Sequence, residues 1–178
     1  TNLFGSPASG SVRVKDVAAA AGLTERYFYE SFTDLNALFR AVFEAAADAI
    51  EARVSAAMVD APVDCFARVS IALRTTVDVL SGDPRMIRIL FIEGLGSGGR
   101  ASVHRNEVLA RAAGNFLKWS APEAPSFESS AVSARMEAFA MSGAASELLI
   151  SWADGTLDVT PAAMADFLVT LYSRMTLC

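Results

Sequence analysis

Between Leu35 and Met58 apolar side chains recur every three or four positions. Leu35, Leu38, Phe39, Val42, Ala46, Ile50, Val54 and Met58 form one stripe, with Glu44, Asp48, Glu51 and Arg53 largely on the opposite side. That spacing specifies a long amphipathic helix. The same spacing returns, between Gly and Pro breaks, along the rest of the chain. No stretch alternates apolar and polar residues with the period of two that a half-buried strand requires. Alanine, the best helix former, occurs in runs at Ala18–Ala21 and Ala45–Ala47. The fold class is therefore all-α.

The breaks set the element boundaries. Val14 to Ala21 reads as a short helix stopped by Gly22. Thr24 fits an N-cap opening a second short helix through Ser31. The long helix runs from Asp34 to about Val59, Pro62 restarts a helix ending near Ser81-Gly82, and Pro84 opens the next, which reaches Glu93. Further helices are expected over about Ser102–Trp119 and Phe127–Trp152, parted by Pro122 and Pro125. Asp154-Gly155 ends the second of these, and Thr160-Pro161 opens a last helix to about Met175. The reading is eight helices plus a fragment of a ninth.

Composition excludes several function classes. With 53% hydrophobic residues in 178, the chain can pack a core and is not intrinsically disordered. A net charge of -5 excludes a binder that coats nucleic acid by charge alone. The imbalance is not uniform, however: residues 1–40 hold four basic and four acidic side chains, and residues 41–178 hold 11 against 16. Cys65 and Cys178 form neither a disulfide framework nor a zinc spacing, which favours a reducing, cytoplasmic setting. No segment is apolar for long enough to span a bilayer, and no secretion signal is visible.

Two short helices joined by a turn containing Gly are the sequence form of a helix-turn-helix. The second carries Arg26, Tyr27 and Tyr29, side chains able to reach phosphates or base edges. By spacing alone, a plain helical hairpin in a bundle fits equally well.

The residues themselves add to this. The run from Val14 to Phe32, VKDVAAAAGLTERYFYESF, followed by Leu38, resembles the DNA-binding signature of TetR-type transcriptional regulators. The likeness covers about 25 contiguous residues, and the long linking helix and helical body agree with it in layout. It implies a helix-turn-helix domain over residues 1–40 and a helical-bundle domain for effector binding and dimerisation over 41–178. It further implies a homodimer joined through the last two helices, a palindromic operator and a small-molecule effector. By the same resemblance Thr24, Arg26, Tyr27, Tyr29 and Lys15 contact DNA, and Ala18, Gly22, Leu23, Phe28, Phe32 and Leu38 pack the module. Three positions depart from the family pattern. Leu35 stands where many members carry Lys or Arg, Arg13 stands where Thr often caps the first short helix, and only Leu3-Phe4 remain of a helix expected before Gly5.

In the body, Phe43, Phe66, Val69, Leu73, Leu90, Phe116, Met136, Phe139 and Ala140 sit on inward stripes and are the candidate effector-pocket residues, with Arg74 or Asn115 as polar anchors. Their aromatic and Met content suits an apolar effector. Gly143, Leu148, Trp152, Met164, Phe167, Leu168, Leu171 and Met175 are the candidate dimer-interface residues, because the last two helices are apolar on more than one face. Other motifs carry less. Gly94-Leu95-Gly96-Ser97-Gly98-Gly99 matches G-x-G-x-x-G but lacks the strand-helix-strand context of a dinucleotide site. His104 is the only histidine, with no partner spacing for a metal or a catalytic triad. No catalytic residue, cofactor or metal site is expected. The reading is a ligand-responsive DNA-binding regulator, a repressor released by its effector and not an enzyme; the alternative is a helical small-molecule-binding or scaffold protein without DNA function.

Overall fold

Side-chain oxygens mark where four of the helices begin. Asp34 accepts from the Ala37 N–H at 2.8 Å, Asp64 from Ala67 at 2.7 Å, Asp83 from Arg85 at 3.2 Å and Thr160 from Ala163 at 3.2 Å. Each satisfies an amide that the first turn leaves without a carbonyl. The computed structural model describes residues 12–92, 101–120 and 128–175, with side chains from 106 to 119 and from 132 onward in the last two stretches. The helices are α1 (Val14–Ala20), α2 (Glu25–Ser31), α3 (Leu35–Ala57), α4 (Cys65–Gly82), α5 (Pro84–Ile87), α6 (Ala101–Ser120), α7 (Glu128–Ala153) and α8 (Pro161–Met175). No strand occurs among the described residues. The helix expected before Gly5, the Gly94–Gly99 loop, the Pro122–Pro125 link and the His104 side chain lie outside the described residues.

Two boundaries differ from the sequence reading. α4 begins at Cys65, not at Pro62, because Asp64 supplies the cap and Pro62 stays outside the helix. The helix opened by Pro84 keeps α geometry for four residues and then widens into a π-helical turn over Arg88–Ile92. Apolar periodicity does not distinguish the two forms over so short a run. The wider turn buries Ile89, Leu90 and Phe91 together and packs against α3, α6 and α7.

α1 and α2 pack on one another, and each has one buried apolar residue, Ala18 and Phe28. Between them Gly22 adopts φ +67°, a conformation that costs an L side chain steric strain. The Leu23 N–H donates back to the Ala18 carbonyl at 2.9 Å, closing the turn. The remaining helices form a bundle around one large apolar cluster that draws on α3, α4, the π turn, α6, α7 and α8. A smaller cluster joins Val54, Met58, Ala72 and Trp119. α3 runs without a break across position 40, so the small N-terminal pair and the bundle share a helix. At the far side α8 packs on α4, where buried Tyr172 meets Phe116 edge-on at 5.5 Å and Phe66 in a stack at 6.3 Å.

Candidate functional site

Two places in the molecule collect polar groups with work to do: the exposed side of α1–α2, and a cavity inside the bundle. On the first, Lys15, Thr24, Arg26, Tyr27 and Tyr29 are all exposed. Thr24 occupies the N-cap position of α2, but its side chain makes no capping hydrogen bond. Tyr29 rests edge-on against buried Phe28 at 5.3 Å and is itself largely exposed. Phe28 also contacts Phe32 at 5.7 Å. Two cations here are partnered locally: Arg26 Nε donates to Glu30 Oε1 at 3.0 Å, and Arg13 lies 3.5 Å from Asp16. Such exposed pairs are worth at most about 1 kcal/mol each, so a phosphate can replace the carboxylate at little cost.

The cavity has a volume of about 120 Å³ and opens to solvent on one side. α3 contributes Phe43, Ala47, Ile50 and Glu51; α4 contributes Ala72, Leu73, Thr76 and Leu80; the π turn contributes Leu90 and Phe91. α6 supplies Val108, Leu109, Arg111, Ala112, Asn115, Phe116 and Trp119, and α7 supplies Met141, Ser142, Ala145, Ser146 and Leu149. The walls are overwhelmingly apolar, as small-molecule sites are. Buried Ser146 donates its hydroxyl proton to the Gly143 carbonyl at 2.9 Å, so it is satisfied within its own helix.

Polar groups gather along the α3–α6 side of the cavity. Arg111 Nη1 donates to Glu44 Oε2 at 3.0 Å, and its Nη2 donates to Glu51 Oε2 at 2.9 Å and to Asp48 Oδ1. Asn115 Nδ2 reaches the same Glu51 oxygen at 3.3 Å, and Lys118 stands 3.8 Å from Oε1. Farther toward α2, Arg40 and Glu107 pair at 3.8 Å. The hydrogen bond from Arg111 holds the Glu51 carboxyl below its ordinary value of 4.5, against partial burial that pushes the other way. The Arg111 guanidinium is correspondingly raised by its bonds to Asp48 and Glu51.

Of the residues expected in the pocket, Phe43, Leu73, Leu90, Phe116 and Asn115 line the cavity. Val69 is fully buried but packs in the core without reaching the cavity. Phe66 instead stacks on Tyr172 at the surface. Met136, Phe139 and Ala140 are corrections of another kind: Met136 is 67% and Phe139 44% exposed, and Ala140 is exposed beside them. α7 carries apolar residues on more than one face, so periodicity could not say which stripe faces inward; Ala138, Met141, Ala145 and Leu149 do. Arg74 does not line the cavity; it pairs with Asp166 on α8 at 2.7 Å.

The dimer candidates also divide. Phe167 and Met175 are exposed, and Gly143, Leu148, Trp152 and Leu171 are half-buried. Met164 and Leu168 are core residues with 2% and 0% exposure, which removes them from any subunit face. They sit on the side of α8 that meets α4, a partner that the α8 sequence alone does not name. Glu51, Arg111, Phe91 and Trp119 were missed. The one available signal was the Glu44, Asp48, Glu51 spacing of one turn each, which reads equally as a solvated face.

Among the described residues no group of three or more His, Cys, Asp and Glu side chains could hold a metal ion, and no helix is long and apolar enough to cross a membrane. No protein-family profile matches the chain, and no curated protein matches it in sequence. A solved structure matches it in fold. The chain is similar to the fatty acid degradation regulator FadR from Bacillus halodurans over 96% of its own length and 89% of that chain, with a TM-score of 0.74 and 15% sequence identity. The likeness is one of fold: an all-helical chain with an N-terminal helix-turn-helix followed by a helical bundle.

Proposed function

We propose that this chain is a ligand-responsive DNA-binding transcriptional regulator of the TetR type, acting as a homodimer. In this reading α2 enters the major groove, with Arg26, Tyr27 and Tyr29 presented to the DNA and Lys15 and Thr24 at the phosphates. The single observation that carries the reading is the double role of α3. Only three residues separate it from α2, and four of its residues line the cavity. A molecule that fills the cavity therefore acts on the helix that positions the reading helix. Such a molecule shifts the balance between DNA-competent and released forms only through a difference in its affinity for the two.

The cavity walls suit a largely apolar effector. The regulator whose fold this chain shares is described as controlling fatty acid degradation, which makes acyl chains the first effectors to try. The dimer contact in this reading uses the outward apolar residues Val132, Met136 and Phe139 of α7 with Phe167 and Met175 of α8. At Gly143 an added Cβ would meet nothing within 4 Å in its own chain, which leaves room for a partner helix. The two reading helices then fall one DNA turn, roughly 34–36 Å, apart.

The test is selection from a randomised duplex library followed by titration at several salt concentrations. The expected outcome is a two-fold symmetric motif with half-sites about 10 base pairs apart, bound with salt-dependent affinity. Loss of that motif on Tyr29→Ala or Arg26→Ala, with the helix content unchanged, ties the binding to α2. Binding without any sequence preference would overturn the reading and leave a helical small-molecule-binding protein.

A further inference from the structure

The side of the cavity formed by α3 and α6 is charged, and we infer that it is a head-group site: the effector is an apolar-tailed carboxylate whose head competes with α3 for Arg111. The inference rests on the reading of the cavity as the effector site. Arg111 is the only cation and Glu51 the only anion among the described residues that line it. The two Nη atoms of Arg111 already serve Glu44, Asp48 and Glu51. Its Nε–H takes part in none of those bonds, and Asn115, one turn along the same face of α6, has a second amide hydrogen beyond the one it gives Glu51. Those donors, beside an apolar chamber walled by Phe43, Phe116 and Trp119, match a carboxylate with an alkyl tail.

The sign of the ligand charge then sets the sign of the response. With the seam closed, three carboxylates face two cations, Arg111 and Lys118, so an incoming anion is repelled. Its carboxylate can meet the Nε–H with the seam closed, but a two-pronged bond to Nε and Nη2 of Arg111 forms only when Glu51 gives up Nη2, and Glu51 is part of α3. The anion accordingly prefers the form in which α3 has parted from α6, which is the differential affinity a switch requires. Glu44 and Asp48 are mostly exposed, so exchanging them for a ligand held in an apolar chamber is favourable. A lipophilic cation would do the opposite, settling beside Glu51 and leaving the seam shut. A neutral chain of equal length would not sense the seam.

The experiment is calorimetric titration of the full chain with octanoate, 1-octanol and octyltrimethylammonium, all with the same tail, together with hydrogen exchange over α3. Octanoate is expected to bind about tenfold tighter than octanol, the scale of one charge-assisted hydrogen bond net of the seam it breaks. Arg111→Gln should bring that ratio to about one, Arg111→Lys should retain a preference for the acid, and Glu51→Gln should enlarge it by removing the competitor. Octanoate, but not octanol, should speed amide exchange between Glu44 and Glu51. Equal affinity for octanoate and octanol, preference for the ammonium, or a ratio that survives Arg111→Gln overturns the inference while leaving the effector cavity intact. Failure of all three to bind overturns the cavity reading and the inference with it.

Discussion

The Glu51 carboxyl is held by donors from α6 while part of it stays in contact with the cavity, and this gives the site a pH signature. Its acidity is raised first by the hydrogen bond from Arg111 and then by Asn115 and by the charges of Arg111 and Lys118. A carboxylate whose folded pKa lies below its unfolded value stabilises the fold above the unfolded pKa, and that contribution is lost as pH falls through the folded value. Arg111→Gln should thus lower stability near neutral pH by about 0.5–1 kcal/mol. The gap between variant and wild type should close as pH drops below the ordinary value of 4.5. Urea unfolding at pH 7 and pH 3.5 measures both, and a gap that persists at pH 3.5 would show that lost packing, not charge, was responsible. Gly22 offers a second test at this scale. No atom lies within 4 Å of a Cβ added there, so Gly22→Ala is opposed only by φ +67°, at a cost of about 1 kcal/mol. Hydrogen exchange in α1 and α2 should register it; an unchanged rate would mean the turn relaxes.

At the scale of elements, the helices were largely legible in the sequence. Their determinants are local: an Asp or Thr three residues before an amide it can accept from, a Pro at a first turn, a Gly after a last one. α3 illustrates this, with its start fixed by Asp34 and its apolar stripe by the residues from Leu35 to Val54. Asp34→Ala should cost about 1 kcal/mol in thermal unfolding and fray the first turn of α3, next to α2. An unchanged midpoint would mean that packing alone holds that turn. The π turn was not legible, because its five residues have the same apolar pattern an α-helix would show. Only neighbours in α3, α6 and α7 decide that Ile89, Leu90 and Phe91 are all buried. α7 poses the same difficulty in another form: two apolar stripes on one helix give no local reason to choose an inner one.

At the scale of the whole molecule, adjacent residues of α8 take opposite roles. Leu168 is fully buried, and Phe167 is 55% exposed. Leu168→Ala should destabilise the fold by about 2–5 kcal/mol through lost contacts and a cavity. Phe167→Asp should leave chemical unfolding of the subunit near wild type and, if this face joins two copies, convert the dimer to monomer in sedimentation velocity. A variant that sediments as wild type would move the subunit contact elsewhere. Charge belongs to this scale as well. The surplus of acidic residues lies in residues 41–178, and three of them, Glu44, Asp48 and Glu51, are turned toward Arg111 across the α3–α6 seam. By itself, the sequence determined most of the helices and the short pair that presents Arg26, Tyr27 and Tyr29, because those depend on neighbours three or four residues away. The tertiary structure alone decided which face of α7 and α8 is core, which residues enclose the cavity, and that a row of acids on α3 meets an arginine sixty or more residues on. Those outcomes depend on which helix packs against which, and spacing along the chain carries no record of that partner.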